Sequence, residues 1–181
     1  MLAIGVRDRL VTDRADEFGA LTERHLDGAY RLATVILGDA MEAEDAVHDA
    51  AIAAWRGWST LRDPDRFEAW FSRIVVNACR DRLRSRRRRP IVELTPELLG
   101  QLAGPVRPDA IESIAARDVL ARAFDVLDPD ERIVVVLRFW RDLTVEAIAE
   151  RTGTPSGTVK SRLHHALGRL RTTLTIAEND R

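Results

Sequence analysis

The segment between residues 90 and 108 constrains the fold most, because it divides a chain of 181 residues into two parts. It holds four of the seven prolines and two of the ten glycines. Proline at this density blocks a continuous helix and removes the amide donors that a strand needs. We therefore predict a flexible linker over residues 91–109, with a separate folded block on either side.

The block before the linker has the periodicity of packed helices. Apolar residues recur at three- and four-residue spacing over 43–58 and again over 67–83, which is typical of amphipathic helices. A further helix is predicted over about 16–37, and Asp63 with Pro64 supplies an N-cap acceptor and a first-turn proline for the third helix. No alternating pattern long enough for a strand competes, so we predict a three-helix bundle, with or without a short additional helix at its N-terminus.

The block after the linker contains a helix-turn-helix pattern. Residues 128–131 read Asp-Pro-Asp-Glu, the pattern of a capping box, and predict a helix to about Arg141. Thr144 then caps a short helix, Gly153 makes a turn, and a longer helix follows over 155–171. In a helix-turn-helix, the second helix enters the major groove with its N-terminal residues forward. The predicted fold is therefore all-α, with two small helical domains.

The net charge of −1 argues at first against a nucleic-acid partner, but the charge is segregated along the chain. Residues 39–49 hold five acids and no Lys or Arg, whereas residues 80–89 hold seven arginines against one acid. Residues 153–177 carry one lysine, three arginines and no acid. Such sorting is typical of a chain that presents different surfaces to different partners. Solvated helix faces would explain the same charges equally well.

The helix predicted over 155–171 has side chains suited to reading base edges. Lys160 can donate to guanine, Ser161 can bond to several bases, and histidine can donate or stack. The amides at the start of the helix can bind a phosphate. A solvated amphipathic helix is the alternative, but the glycine turn and the acid-free basic face together favour DNA reading. The candidate contacts are Pro155, Gly157, Thr158, Lys160, Ser161, Arg162, His164, His165 and Arg169.

The arginine run at 80–89 would neutralise several phosphates without sequence preference. Aromatic and amide groups upstream of it are what unstacked bases need, namely ring faces and donors. Phe67 and Trp70 fit the core better than such a platform, because they lie on the inward stripe of their helix. The better candidates for contacts with nucleic acid are Arg62, Asn77 and Arg80.

No recognisable catalytic or metal-binding set is present. Glu44 and Asp45 diverge by about 100° on a helix and make a poor acid/base pair, so the acidic helix fits a docking face for a basic protein better. The adjacent His164 and His165 are spaced wrongly for a shared metal ion. Cys79, on an apolar stripe, is predicted to be a small buried hydrophobe. We expect no enzyme activity, cofactor, metal or membrane insertion, and a cytoplasmic location.

Two sets of motifs resemble those of bacterial extracytoplasmic-function (ECF) sigma factors, a group within the sigma-70 family. Single motifs of this kind are common, but here both halves occur in the family's order, over about residues 16–90 and 110–172. The stretches that resemble the sigma-2 domain lie at 43–50, 55–56 and 67–77, and those that resemble the sigma-4 domain lie at 127–132, 144–149 and 157–164.

The resemblance implies a promoter-specificity subunit of RNA polymerase. Its parts would be an N-terminal extension over 1–15, a sigma-2 domain over 16–90, the linker over 91–109, a sigma-4 domain over 110–175 and a C-terminal tail over 176–181. The linker resembles the segment that threads toward the RNA exit path. An anti-sigma factor that occludes both DNA-binding domains is a further partner implied by the family.

The resemblance also implies a division of surfaces. The acidic helix would bind the clamp helices of the largest polymerase subunit, and the sigma-2 domain would recognise and melt the −10 element. The sigma-4 domain would bind the polymerase flap and recognise the −35 element through the nine candidates given above for the last helix. The −10 contacts would be Leu61, Arg62, Asp63, Arg66, Arg73, Asn77, Arg80 and Arg84, and the core-polymerase contacts Glu42, Glu44, Asp45, Asp49 and Trp55.

Two other functions compete with this interpretation. A stand-alone regulator would bind duplex DNA through the helix-turn-helix and use the first block for dimerisation or sensing, but such a block needs neither an acidic helix nor an arginine-ended aromatic helix. A nucleic-acid-processing enzyme would need an acid cluster or metal ligands, which the sequence lacks. We also hypothesise that the low net charge limits indiscriminate DNA binding by the isolated subunit.

Overall fold

The computed structural model describes residues 2–88 and 122–179, with side chains over 14–87 and 122–176. Every regular element in this part of the chain is helical, so the all-α prediction is confirmed there, and the predicted linker over 91–109 lies outside it. Short 3-10 turns lie at Trp58–Thr60 and Pro64–Arg66, and a π-helical turn at Val136–Trp140. The α-helices in chain order are α1 (Leu2–Leu37), α2 (Ala40–Gly57), α3 (Phe67–Arg88), α4 (Pro129–Val135), α5 (Val145–Thr152) and α6 (Ser156–Asn179).

Helices α1, α2 and α3 form the N-terminal bundle, in which each packs on the other two. Its core is built from the predicted apolar stripes, and Phe67 and Phe71 of α3 are each only 1% exposed. The ring of Phe67 stacks on that of Phe71 with 5.5 Å between centroids and meets the edge of Phe18 from α1 at 6.1 Å. Gly38, at φ +70°, ends α1 in the left-handed conformation that glycine adopts without strain, and Asp39 then caps α2.

Two helices of this bundle begin where the sequence did not predict. Helix α1 begins at Leu2 rather than near residue 16, because the backbone between them contains no proline to stop it, although the apolar stripe starts later. Helix α3 begins at Phe67 rather than directly after Asp63. The Asp63 side chain accepts from the amide of Asp65 at 3.0 Å, which closes a tight 3-10 turn ahead of the α-helix.

Helices α4, α5 and α6 form the C-terminal domain, and its helix-turn-helix is confirmed. The capping box predicted at 128–131 is present at the start of α4, which passes into the π-helical turn before Arg141. Thr144 caps α5 by accepting from the amide of Ala147 at 3.2 Å. Gly153, at φ +65°, makes the left-handed turn that leads toward α6.

Helix α6 is longer than predicted, since it continues past residue 171 to Asn179. The threonines in this stretch weaken a helix only slightly, so they do not end it. Residues 176–179, predicted to belong to a tail, continue the helix. On this helix Ala166 is fully buried, whereas the neighbouring Leu167 is 41% exposed.

The two domains pack on each other through α3, which contacts α1 and α2 as well as α4 and α5. Their apolar interior is continuous, since the fully buried Ile148 of α5 belongs to the same cluster as Val75 and Val76 of α3. Helix α3 therefore lies at the centre of the described structure. None of the helices described is long and apolar enough to cross a bilayer.

Candidate nucleic-acid and polymerase interfaces

The arginines at the end of α3 divide into two sets by helical spacing. Arg82 and Arg86, four residues apart, both pair with acids that precede or belong to α2; we call them the inner arginines. Arg80, Arg84 and Arg87 follow the i, i+4, i+7 spacing of another helix face and pair with acids of the C-terminal domain; we call them the domain-facing arginines. The run predicted as one basic patch is thus two faces with different partners.

The inner arginines hold α2 against α3. Arg82 donates to Asp49 at 2.7 Å and to Asp45 at 3.4 Å. Arg86 donates to Glu42 at 2.8 Å and to the backbone carbonyl at the end of α1 at 2.7 Å. Three carboxylates predicted to contact polymerase are therefore also part of the internal structure of the N-terminal bundle.

The outer face of α2 still presents polar and aromatic groups to a partner. The side chains of Asp45 and Asp49 remain 63% and 62% exposed despite their pairing. Glu44 is exposed, and Trp55 is 48% exposed although its ring touches the edge of Phe18 at 5.1 Å between centroids. Trp55 thus lies at the border between the core and the surface, so part of its ring remains accessible to a partner.

Asp130, in the first turn of α4, forms ion pairs with three guanidinium groups. Its carboxylate accepts from Arg80 Nε at 2.7 Å and from Arg84 Nη2 at 3.1 Å, both across the domain boundary. Arg162 Nη2 of α6 lies 3.3 Å from the same carboxylate. The sequence shows Asp130 only as a first-turn acid of a helix, so it was not among the predicted site residues.

Further residues predicted to contact the −10 element also meet the C-terminal domain. Arg66 forms an ion pair with Glu150 of α5. The guanidinium of Arg73 lies against the turn at Gly153. Five of the eight predicted −10 residues, including Asn77 through its hydrogen bond from Arg80, therefore lie at or beside the boundary between the domains.

The other three predicted −10 residues lie before α3. Leu61 is half-buried, whereas Arg62 and Asp63 are exposed. Asp63 is also the cap of the 3-10 turn, so its carboxylate has a structural partner. Among the described residues, none of the ion pairs across the domain boundary involves this loop. Arg66, Arg73, Asn77 and Arg84 also remain exposed at that boundary, and only Arg80 is half-buried there.

At Glu68 the charges across the boundary are reversed, since α3 supplies the acid and the C-terminal domain supplies the arginines. Its carboxylate accepts from Arg141 Nη2 at 2.7 Å and from Arg151 Nη2 at 2.6 Å. The Arg151 side chain is only 11% exposed, so this contact is largely removed from solvent. Sequence reasoning missed Glu68 because its partners lie 73 and 83 residues away, beyond any local pattern.

Eight of the nine predicted −35 residues are exposed on α6 or just before it, and Arg162 is half-buried. Two of the nine are tied to neighbouring groups. Arg162 binds the Thr154 hydroxyl at 3.3 Å besides Asp130, and Arg169 lies 3.4 Å from Glu131. The exposed residues are Pro155, Gly157, Thr158, Lys160, Ser161, His164, His165 and Arg169.

The groups with resolved pKa shifts lie away from these surfaces. Burial raises the pKa of the Cys79 thiol to about 12, in keeping with the predicted buried hydrophobe. Burial lowers the pKa of Arg132 to about 10, and its guanidinium lies over the ring of Phe124 at 5.5 Å. Among the described side chains, no group of three or more His, Cys, Asp or Glu could hold a metal ion.

Comparison with known protein families matches both domains. The family model of Sigma-70 region 2 matches residues 21–89, and that of Sigma-70, region 4, matches residues 123–172. The RNA polymerase sigma-E factor of Streptomyces coelicolor is 33% identical over 164 residues, covering 91% of this chain and 89% of that protein. The ECF RNA polymerase sigma factor SigL of Mycobacterium tuberculosis is 34% identical over 158 residues, covering 86% of this chain and 87% of that protein.

Solved structures show the same fold. The sigma factor RpoE, in complex with the anti-sigma factor NepR from Bartonella quintana, has a TM-score of 0.63 and 23% identity, covering 88% of this chain and 97% of that one. CnrH, in complex with the cytosolic domain of CnrY, has a TM-score of 0.58 and 26% identity, covering 88% of each chain. With two matched regions in order and curated relatives aligned over most of their length, the chain belongs to the sigma-70 family as an ECF sigma factor, a subunit that directs RNA polymerase to promoters.

Proposed function

We propose that this chain binds core RNA polymerase through the outer face of α2 and reads promoters with α6 at the −35 element and α3 at the −10 element. The observation that carries the proposal is the presence, in one chain, of an exposed acidic helix and an exposed helix behind a glycine turn. A stand-alone regulator requires only the second feature. The family membership favours the same choice.

The −35 element would be read from the major groove by the exposed side chains of α6. Lys160, Ser161, His164 and His165 are exposed and would offer donors and acceptors to base edges, and the amides near Gly157 would bind a phosphate. Arg162 and Arg169 would contribute to phosphate binding by exchanging their carboxylate partners for the DNA backbone. The other face of the domain would bind the polymerase flap.

The −10 element would be bound by α3 and the loop before it. Arg62 is accessible in the described structure, whereas Arg66, Arg80 and Arg84 are engaged by the C-terminal domain. Full contact with the −10 element therefore requires the two domains to separate. After separation, these arginines would be free to bind phosphates, and Asn77 would bind a base edge.

The polymerase contact would lie on α2, where the exposed carboxylates suit the basic clamp helices of the largest subunit. Glu44 is the clearest candidate because no ion pair among the described residues involves it, while Asp45 and Asp49 share Arg82. Trp55 would add an aromatic anchor next to these charges, as such residues often do at interfaces.

A regulatory partner is also part of the proposal. Both structural neighbours described above were solved with a second protein bound, and that of RpoE is named an anti-sigma factor. By analogy, an anti-sigma factor would control this chain by covering its DNA-binding surfaces. The chain would act in the cytoplasm with the polymerase, as a non-enzymatic subunit without cofactor or metal.

Run-off transcription with purified core polymerase tests the proposal. Genomic fragments are transcribed with and without the chain, and the transcript ends are mapped. We expect discrete start sites that depend on the chain and share upstream sequences. If the core enzyme neither binds the chain nor gains start-site specificity, the proposal fails and the stand-alone regulator becomes the better interpretation.

A further inference from the structure

Arg169 of α6 has three acceptors around a single nitrogen, and all three come from the start of α4 or the residues just before it. Its Nη1 donates to the backbone carbonyl of Val126 at 3.1 Å. The same nitrogen lies 3.4 Å from a carboxylate oxygen of Glu131 and 3.6 Å from one of Asp128. Charge-assisted bonds of this kind are directional, so they fix the position of one helix on another.

Glu131 connects Arg169 to the backbone of α4. Its Oε2 accepts from the amide of Asp128 at 3.0 Å within the capping box, and the same oxygen faces Arg169. The Glu131 side chain is only 9% exposed. If Arg169 moved to a phosphate, this largely buried carboxylate would lose its cationic partner, which is unfavourable. The contact is therefore built to be retained when α6 meets DNA.

Beside Arg169, the apolar contact between α4 and α6 involves few buried side chains. The cluster there contains Leu127, Val135 and Ala166, with Phe124, Leu163 and Leu170 packed against it. A cleft of about 660 Å³ opens next to it, between the start of α4 and the 164–173 stretch of α6. Because hydrophobic contact has no preferred direction, a small apolar seam beside a cleft leaves the angle of α6 to the polar contact at Arg169.

The angle of α6 matters for the residues proposed to read bases. Lys160 and Ser161 precede Arg169 on the same helix, and Lys160 lies about 14 Å from it along the helix axis. Hydrogen bonds to base edges weaken steeply when the donor is misaligned. A tilt of α6 would therefore reduce base recognition, whereas contacts with phosphates carry no sequence information.

We propose that Arg169 and Glu131 are positioning residues, which set the angle of α6 on the C-terminal domain and thereby its selectivity for the −35 element. The proposal rests on the proposed function of α6 and narrows it at one residue. Arg169 then keeps its acceptors on α4 instead of exchanging them for the DNA backbone. The two roles predict opposite responses to a change at Glu131, because loss of that carboxylate would release a phosphate-binding arginine but would leave a positioning arginine without its anchor.

Two variants and two matched controls distinguish these roles. Arg169→Ala removes the guanidinium, and Glu131→Gln removes the charge while glutamine still accepts the capping bond. The controls are Arg171→Ala and Glu146→Gln. Both control side chains are exposed, Glu146 is likewise a first-turn acid, and no ion pair among the described residues involves either of them.

The measurement uses the holoenzyme, with each full-length variant assembled on core RNA polymerase after circular dichroism has verified its fold. Competition binding compares two DNA fragments. One is a promoter mapped by run-off transcription, and the other is the same promoter with an altered −35 element. The ratio of the two affinities reports base recognition, and the affinity for the altered fragment reports contacts that do not depend on the −35 sequence.

We expect Arg169→Ala and Glu131→Gln each to reduce the ratio by about fivefold or more, the lower end of what one good base contact contributes. Their affinity for the altered fragment should stay at the wild-type value. The double variant should lose no more than the larger single loss, because the two residues act through one contact. Both controls should keep the wild-type ratio.

Equal weakening on both fragments by Arg169→Ala, with wild-type or tighter binding by Glu131→Gln, would overturn the proposal and identify Arg169 as a phosphate contact. An unchanged ratio in both variants would overturn it as well. The proposed function fails separately, since the wild-type holoenzyme would then have no mapped promoter. Failure of the positioning role leaves the wild type intact and is seen only in the variants.

Discussion

The two sides of α3 use arginine in different ways. Toward α2, the inner arginines lie beside fully buried apolar residues such as Val75 and Cys79, and they connect elements of a single domain. Toward the C-terminal domain, the domain-facing arginines bind carboxylates that come from another domain, across a boundary rich in ion pairs. Both sets come from one short run in the sequence, and only their spacing on the helix separates them.

The difference suggests which contacts are permanent and which are exchangeable. The inner arginines are 27% and 29% exposed and pair with acids of their own bundle, so these pairs persist while the bundle is folded. Between the domains, Arg66 and Arg84 are 63% and 51% exposed, and exposed pairs contribute roughly 0–1 kcal/mol each, so a more strongly charged partner can displace them. The Arg80–Asp130 pair is the exception between the domains, with side chains 13% and 21% exposed. The predictions that follow test whether the two sides of α3 behave in these two ways.

The largest expected effect on stability comes from removing a buried ring on the side of α3 that faces the N-terminal bundle. Phe71→Ala removes a ring that is 1% exposed, and large-to-small changes of this kind cost about 3–5 kcal/mol of unfolding free energy. Phe139→Ala is the matched control, because Phe139 is 62% exposed. Urea denaturation followed by circular dichroism measures both. Equal losses of stability would mean that the inner side is not a packed core.

The DNA-reading surface and the polymerase-binding surface should respond to different substitutions. Lys160→Ala removes a donor for base edges, so we expect use of the −35 element to weaken by about 1–3 kcal/mol in run-off transcription from matched and altered promoters. Glu44→Arg serves as the counterpart, and should weaken binding to core polymerase without changing the preferred sequence. Loss of both functions from either substitution would contradict the division of surfaces.

The two arginine sets should differ in their effect on stability. Arg86→Ala removes bonds to Glu42 and to a backbone carbonyl, and should cost about 1–2 kcal/mol of unfolding free energy. Arg84→Ala removes a 51% exposed partner of Asp130 and should change the stability by less than about 0.5 kcal/mol. Denaturation of the two variants side by side measures the difference. The reverse order would show that the domain boundary, not the bundle, carries the stability.

The smallest expected effect is a pH dependence in the core. Burial raises the pKa of Cys79 to about 12 in the folded chain, above its ordinary value of 9.0. The unfolded thiol therefore ionises first, and stability falls as the pH rises from about 9 toward 12. Cys79→Ala should lose less stability than the wild type between neutral pH and about pH 10. A parallel decline in both proteins would place the cause elsewhere.

Local structure was predictable where the signal lies within a few residues. The caps at Thr144 and in 128–131, the turn at Gly153 and the buried positions of Phe67 and Cys79 all follow from short-range spacing, and the structure confirms them. The start of α1 was wrong because an apolar stripe marks only where a helix is buried, not where it begins.

The partners of the arginine run were not predictable in this way. Arg80 and Asp130 are 50 residues apart, and a single sequence contains no pattern that joins them. The i, i+4, i+7 spacing does divide the run into faces, but which acids each face meets depends on how the domains pack. The boundaries of the domains and the individual promoter and polymerase contacts stay predictions that the experiments above address.

The salt dependence of the overall size tests the central claim most directly. Small-angle X-ray scattering gives the radius of gyration of the isolated wild type and of Glu68→Gln at increasing salt concentration. If exchangeable ion pairs help hold the C-terminal domain on α3, the wild type is compact at low salt and expands as the salt screens them, and the variant expands at lower salt. A radius of gyration that is the same for both proteins at every salt concentration would contradict the account.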